Sequence, residues 1–91
     1  MKNYREKIVG WVNKVGTFND NPYDNINLVV VLEENGVPIA ADCKNYKFKK
    51  SDCSEVLGFA YSPSELNELT GIYISKTYFD KFGRLVGVDY E

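Results

Sequence analysis

The sequence predicts a mainly β domain of five antiparallel strands, with one short helix between the third and fourth strands. Three local signals support this fold class. Asn35 and Gly36 separate two apolar runs and are typical of a two-residue hairpin turn. Ser62 and Glu65 have the spacing of a helix-capping box. Residues 80–83, with Asp first and Gly last, suit a type I turn.

The first strand is expected at residues 6–16, where β-branched residues surround Trp11. The next segment, residues 17–25, is rich in turn-forming residues and is predicted to be a polar loop. This interpretation places Phe18 and Tyr23 outside any strand.

The second and third strands are expected at residues 26–34 and 37–43, joined by the Asn35-Gly36 turn. A two-residue type I′ turn predicts three inward pairs, namely Leu32 with Ile39, Val30 with Ala41, and Leu28 with Cys43. Cys43 is therefore expected in the core. A three-residue turn would shift this register by one position. Residues 44–50 continue as extended chain or loop.

The segment after residue 50 allows one helical turn, and the capping signals predict a helix over 63–70. The last two strands are expected at 72–79 and 84–90, with Phe82 at the tip of their turn. The predicted core contains the residues that share the inner faces of these elements: Ile26, Leu28, Val30, Leu32, Ile39, Ala41, Leu66, Leu69, Ile74, Val86 and Val88, with Trp11 partly buried.

The composition bounds the size and location of the protein. A chain of 91 residues with 44% apolar residues suits a single domain, which we expect to span residues 1–91. The formal net charge of −2 does not indicate a strongly basic nucleic-acid-binding domain. The sequence contains no run of about 18 apolar residues and no signal-peptide pattern. We therefore expect no membrane association and a cytoplasmic location, where Cys43 and Cys53 would stay reduced.

The sequence lacks the residues that most catalytic mechanisms use. The chain has no histidine, which removes the commonest general base and the commonest zinc ligand. Two cysteines alone cannot complete a structural zinc site. No phosphate-binding glycine motif is present in the sequence. We expect a protein that is not an enzyme and has no cofactor and no metal.

The order of the predicted elements resembles that of the OB-fold, a five-stranded Greek-key barrel with a helix between strands three and four. The segments SPSELNEL and TGIYISKTYFDKFGRLVGVDYE look like the closing part of small OB-fold proteins carried by phages and plasmids. The resemblance is one of element order over most of the chain. An SH3-like barrel and a small α+β sheet with one helix are the alternatives.

The resemblance implies a ligand surface on strands two and three and on the loops that join strands one to two and four to five. In this chain these regions carry aromatic and cationic residues: Phe18, Tyr23, Lys44, Tyr46, Lys47, Phe48, Lys49, Lys50, Lys81 and Phe82. Rings that stack on bases and lysines that contact phosphates suit single-stranded DNA or RNA. The structural alternative is that the lysines protect an edge strand and that Tyr46 and Phe48 close the end of a barrel.

A second set of candidates lies on the outward face of the central hairpin. Val29, Val31 and Ala40 are expected to form a small apolar patch there. We therefore consider two functions besides a purely structural domain. One is an accessory single-strand-binding protein of a mobile genetic element. The other is a protein-interaction or host-protein-inhibiting module, or a homodimer, that docks through the outer sheet face.

Overall fold

The structure is a computed structural model that describes residues 4–91, apart from the side chains of residues 40–42. It contains one sheet of five antiparallel strands in the order β3-β2-β1-β4-β5. The elements are β1 (Tyr4–Phe18), β2 (Asn21–Glu34), β3 (Val37–Lys49), a 3₁₀ turn (Lys50–Asp52), α1 (Cys53–Leu57), α2 (Pro63–Glu68), β4 (Tyr73–Phe79) and β5 (Leu85–Tyr90).

The predicted mainly β class is confirmed, but the sheet is open. Among the described residues no ladder of paired residues joins the edge strands β3 and β5, so the sheet does not close into a barrel. Within residues 4–91, no helix is long and apolar enough to cross a bilayer.

Two tight hairpin turns connect the first three strands. Asn35 and Gly36 have φ angles of 53° and 83°, which confirms the predicted type I′ turn. The predicted loop at residues 17–25 is wrong, because β1 and β2 continue to a second tight turn at Asn19 and Asp20. These two residues adopt φ angles of 51° and 63°. Short polar side chains tolerate this left-handed conformation, so the turn forms without glycine.

The predicted register between β2 and β3 holds only beside the turn, where Glu33 pairs with Pro38. Beyond an irregularity between Val31 and Glu33 the strands are offset, and the pairs are Val31 with Cys43, Val30 with Lys44, and Leu28 with Tyr46. A bulge inserts extra residues into one strand and changes which side chains share a face. Cys43 is consequently exposed and not a core residue.

The β4–β5 hairpin also departs from uniform pairing. Ile74 pairs with Tyr90 as predicted, but two irregularities shift the middle of the hairpin by one residue. As a result Val86, predicted to be buried, is 46% exposed, and Leu85 is buried in its place. The pairs Tyr78 with Gly87 and Phe79 with Leu85 leave Val86 as an extra residue in β5. This bulge places Leu85 on the inner face with Val88 and leaves Val86 exposed.

The predicted helix start is confirmed. Ser62 caps α2, and its Oγ accepts a hydrogen bond from the backbone N of Glu65 at 3.5 Å. Gly71, with a φ of 94°, lies just beyond the end of the helix in a left-handed conformation. Leu66 and Leu69 are buried as expected.

The core lies between the inner face of the sheet and the two short helices. Ile8, Ile26, Leu28 and Val30 are almost fully buried. The rest of the core consists of Phe48, Cys53, Val56, Leu57, Leu66, Leu69, Ile74, Leu85 and Val88. The predicted core residues Leu32 and Ile39 are only half-buried, and Ala41 lies outside the described side chains. Trp11 is half-buried as predicted, and its Nε1 donates a hydrogen bond to Asn67 Oδ1 at 2.8 Å.

Candidate functional site

The aromatic candidates of β3 point into the molecule. Phe48 is 6% exposed and belongs to the core, so its ring cannot stack on a ligand and it leaves the set of binding candidates. Tyr46 is half-buried, and its hydroxyl donates to the carboxylate of Glu6, with a distance of 2.9 Å to Oε2. Burial, followed by this hydrogen bond, raises the pKa of Tyr46 above its ordinary value. Both residues therefore have structural roles.

Two of the candidate lysines form ion pairs. The Nζ of Lys50 lies 2.8 Å from Asp24 Oδ2, and the hydrogen bond lowers the pKa of Asp24. Lys50 also lies over the ring of Tyr61, 4.9 Å from its centroid. The Nζ of Lys44 lies 3.7 Å from Glu6 Oε1. The charges of these two lysines are thus at least partly balanced by carboxylates of the same chain.

The other two lysines of β3 lie on the opposite face. Lys47 pairs with Asn27, and Lys49 pairs with Asn25, so all four residues share the outer face of the sheet. On β1, Lys14 pairs with Asn25 and joins the same face. In the part of the chain that the structure describes, Lys14, Lys47 and Lys49 form no ion pair. Their charges are available to an external anion.

A shallow groove on this side of the sheet brings cationic, amide and aromatic side chains together. We call it the outer hairpin face and define it by its lining residues: Lys14, Phe18, Tyr23, Asn25, Asn27 and Lys47. Phe18 is 72% exposed beside the Asn19-Asp20 turn, and Tyr23 is 39% exposed. The second tight turn thus places both predicted aromatic residues within strands and on one face.

The position of Tyr23 depends on a glycine. Gly16 pairs with Tyr23 across β1 and β2, and an added Cβ at Gly16 would lie 2.6 Å from the tyrosine hydroxyl oxygen. The absence of a side chain at Gly16 lets the ring lie across the neighbouring strand. A glycine within a strand often marks such a close approach.

The tip of the β4–β5 hairpin carries the third exposed ring. Phe82 is 70% exposed, with Lys81 Nζ and Arg84 Cζ each 5.2 Å from its ring centroid. Asp80 orders this turn, because its Oδ1 accepts hydrogen bonds from the backbone N of Phe82 and of Arg84, both at 2.9 Å. The predicted exposed position of Phe82 is confirmed.

A groove between β3 and β5 connects the outer hairpin face with the base of this tip. Lys47 and Lys49 line one side, and Arg84 lines the other. Asn25 and Lys47 belong to this groove and to the outer hairpin face, so the two surfaces are continuous. Asp52, Glu55 and Asp80 also line the groove, which makes its charge mixed.

The apolar interface candidates lie farther along the outer face. Val29 and Val31 are half-buried, and the side chain of Ala40 lies outside the described residues. Val9 and Val12 extend this region, with exposures of 42% and 45%. Among the side chains that the structure describes, which exclude those of residues 40–42, no group of three or more acidic or cysteine residues is arranged to hold a metal ion.

Sequence reasoning missed Lys14, Asn25 and Asn27. Asn27 could have been recognised, because asparagine is unfavourable in strands and here it interrupts the apolar run INLVVV between Ile26 and Leu28. Lys14 and Asn25 pair only because β1 and β2 extend through the predicted loop at residues 17–25. Comparison of the chain with protein-family models, with curated proteins and with solved structures found no match.

Proposed function

We propose that this protein is a non-enzymatic module that binds single-stranded DNA or RNA across the outer hairpin face. One observation carries the proposal: three lysines without ion pairs among the described residues share a face with two exposed aromatic rings. The lysines are Lys14, Lys47 and Lys49, and the rings are those of Phe18 and Tyr23. Flexible single strands bind to such surfaces by base stacking and by contacts between cations and phosphates.

The formal net charge of −2 is compatible with this proposal because the charge is unevenly distributed. The residues that line the outer hairpin face include two lysines, Lys14 and Lys47, and no acidic residue. The local charge of the outer hairpin face is therefore more positive than the total indicates.

The strand order supports a relation to the OB-fold as part of the same proposal. The sheet order β3-β2-β1-β4-β5, with helices between β3 and β4, is the order of an OB barrel opened between its third and fifth strands. In that fold, ligands bind to the second and third strands and to adjoining loops. The outer hairpin face includes residues of β2 and β3, which supports this relation, and we propose an accessory role in a mobile genetic element.

The test is a fluorescence-anisotropy titration with a labelled single-stranded oligonucleotide at about 50 and about 200 mM salt. Three phosphate contacts predict that log K falls with log salt with a slope of about −2. A triple variant, with Lys14, Lys47 and Lys49 changed to Gln, is expected to bind weakly and with little salt dependence. Lys76→Gln is the matched control, since this lysine lies on β4 above the ring of Tyr78. Equal binding by the triple variant and the parent would refute the proposal.

The second candidate function is docking of a protein partner on the apolar part of the outer face. The exposed side chains of Val9 and Val12 beside Val29 and Val31 favour it. Two results together would favour a homodimer through this patch. The parent protein would not bind oligonucleotides, and Val12→Lys would abolish its self-association in analytical ultracentrifugation.

A further inference from the structure

Asn27 lies in the middle of the outer hairpin face, with Val12 of β1 on one side and Lys47 of β3 on the other. The residue is only 8% exposed. Its Oδ1 is buried and accepts no hydrogen bond from any residue that the structure describes. It is the single buried side-chain atom without a partner found within that part of the chain.

This arrangement is unfavourable for the free protein. A buried amide oxygen has lost its hydrogen bonds to water without gaining others, which disfavours the folded state. Asparagine is also a poor strand former, so an apolar residue would suit this position of β2 better. The unsatisfied Oδ1 of Asn27 in the groove of the outer hairpin face therefore points to a ligand that supplies the missing hydrogen-bond donor.

The surrounding side chains restrict the chemistry of that ligand. Lys14 and Lys47 favour a negatively charged group, while Phe18 and Tyr23 favour a flat ring. Asn27 adds a requirement for a hydrogen-bond donor close to that ring. A nucleotide meets the three requirements together, with its phosphate, its base and the amino or imino group of the base.

We propose that Asn27 reads the edge of an adenine base, an inference that rests on the proposed function. An asparagine amide offers one acceptor and one pair of donors side by side. Oδ1 accepts from the N6 amine of adenine while Nδ2 donates to N7, which is the common pairing of asparagine with this base. Lys14 and Lys47 line the groove beside Asn27, so this pairing requires these flexible side chains to move towards the phosphates and expose the amide.

The test compares two labelled oligonucleotides of about 12 residues in anisotropy titrations. One contains deoxyadenosine, and the other contains deoxynebularine, which differs only in lacking the 6-amino group. The parent is expected to bind the adenine strand at least about 5-fold more tightly. Asn27→Leu is expected to bind both strands equally and to melt at the same temperature as the parent or higher. Asn45→Leu, at an exposed site of the outer face of β3, is the control and should retain the discrimination.

The outcomes separate this inference from the proposed function. Equal, salt-dependent binding of both strands by the parent would leave the proposed function standing and overturn the role of Asn27. Binding of neither strand would overturn both. Discrimination that persists in Asn27→Leu would assign the reading to another residue. Asn27→Val is the second variant, and marked loss of thermal stability in both variants would show that Asn27 has a structural role instead.

Discussion

The ring of Tyr23 lies over Gly16 of the facing strand, and an added Cβ at Gly16 would stand 2.8 Å from the ring carbon that carries the hydroxyl. This distance is shorter than any ordinary contact between carbon atoms. The glycine therefore determines where an exposed aromatic side chain of the outer hairpin face can lie. Because the facing group is the far end of a flexible side chain, it can move away without disturbing the strands.

The first prediction follows from this contact. Gly16→Ala should leave the melting temperature close to that of the parent and displace the ring of Tyr23. If the ring stacks on a base, oligonucleotide affinity should fall by about 5- to 150-fold, similar to the effect of Tyr23→Ala. Gly10→Ala on the same strand is the control, since an added Cβ there meets nothing within 4 Å. Unchanged affinity in Gly16→Ala would remove Tyr23 from the binding surface.

A second prediction concerns the core. Leu28 is 0% exposed and lies at the centre of the apolar cluster. Leu28→Ala should lower the free energy of unfolding by about 2–5 kcal/mol, since it loses buried area and leaves a cavity. Val15→Ala is the control, because Val15 is 69% exposed and its loss should cost less than about 0.5 kcal/mol. Denaturation followed by the fluorescence of Trp11, the sole tryptophan, measures both changes.

The sequence predicted those parts of the fold that depend on local chemistry. The left-handed turn at Asn35-Gly36 and the cap at Ser62 need only particular residues at particular positions, and both formed as expected. The alternation of β2 correctly identified Ile26, Leu28 and Val30 as buried. Each of these features is decided within a few residues of the chain.

The missed features have no distinctive local signal in the sequence. The bulge between Val31 and Glu33 shifts the pairing with β3 and exposes Cys43. No turn-forming residue in this part of the sequence indicates the bulge. The Asn19-Asp20 turn lacks the glycine that usually identifies a two-residue hairpin. Because that turn sets which residues of β1 face Asn25 and Tyr23, the candidate site could be predicted only as a set of residue types.

The third prediction concerns alkaline pH. Burial raises the pKa of Tyr90 from 10.0 to about 12, and its hydroxyl donates a hydrogen bond to the backbone oxygen of Leu57 at 3.2 Å. A phenol whose pKa is raised on folding stabilises the folded state fully below pH 10, and this contribution is lost as the pH rises towards 12. Tyr90→Phe should lower the free energy of unfolding by about 0.5–1.5 kcal/mol at neutral pH.

The difference between the parent and Tyr90→Phe should then shrink between pH 10 and about 12, because only the parent has a half-buried phenol that folding keeps neutral. Denaturation at several pH values measures the difference, and absorbance of the ionised phenol reports the titration. A difference that stays constant through this range would contradict the raised pKa.

The final prediction concerns Phe82. Its ring is 70% exposed at the tip of the β4–β5 hairpin, in a turn held by hydrogen bonds to Asp80. An aromatic side chain at this exposure contributes little to folding, so Phe82→Ala should change the free energy of unfolding by less than about 0.5 kcal/mol. Lys81 suits a ligand that brings phosphate next to a base, whereas the Nε of Arg84 already pairs with Asp80 Oδ2 at 3.0 Å.

If a bound strand extends from the outer hairpin face through the β3–β5 groove, Phe82→Ala should weaken binding of a long oligonucleotide by about 5- to 150-fold. A short oligonucleotide of about 4 residues, which cannot reach the tip, should bind the parent and the variant equally. Tyr4→Ala is the control, because Tyr4 is a 50% exposed ring at the opposite end of β1 from Phe18. A melting temperature well below that of the parent in Phe82→Ala, with binding unaffected, would instead assign the ring to the packing of the hairpin. The length dependence separates the two roles, because loss of packing at the tip would not make the change in affinity depend on the length of the strand.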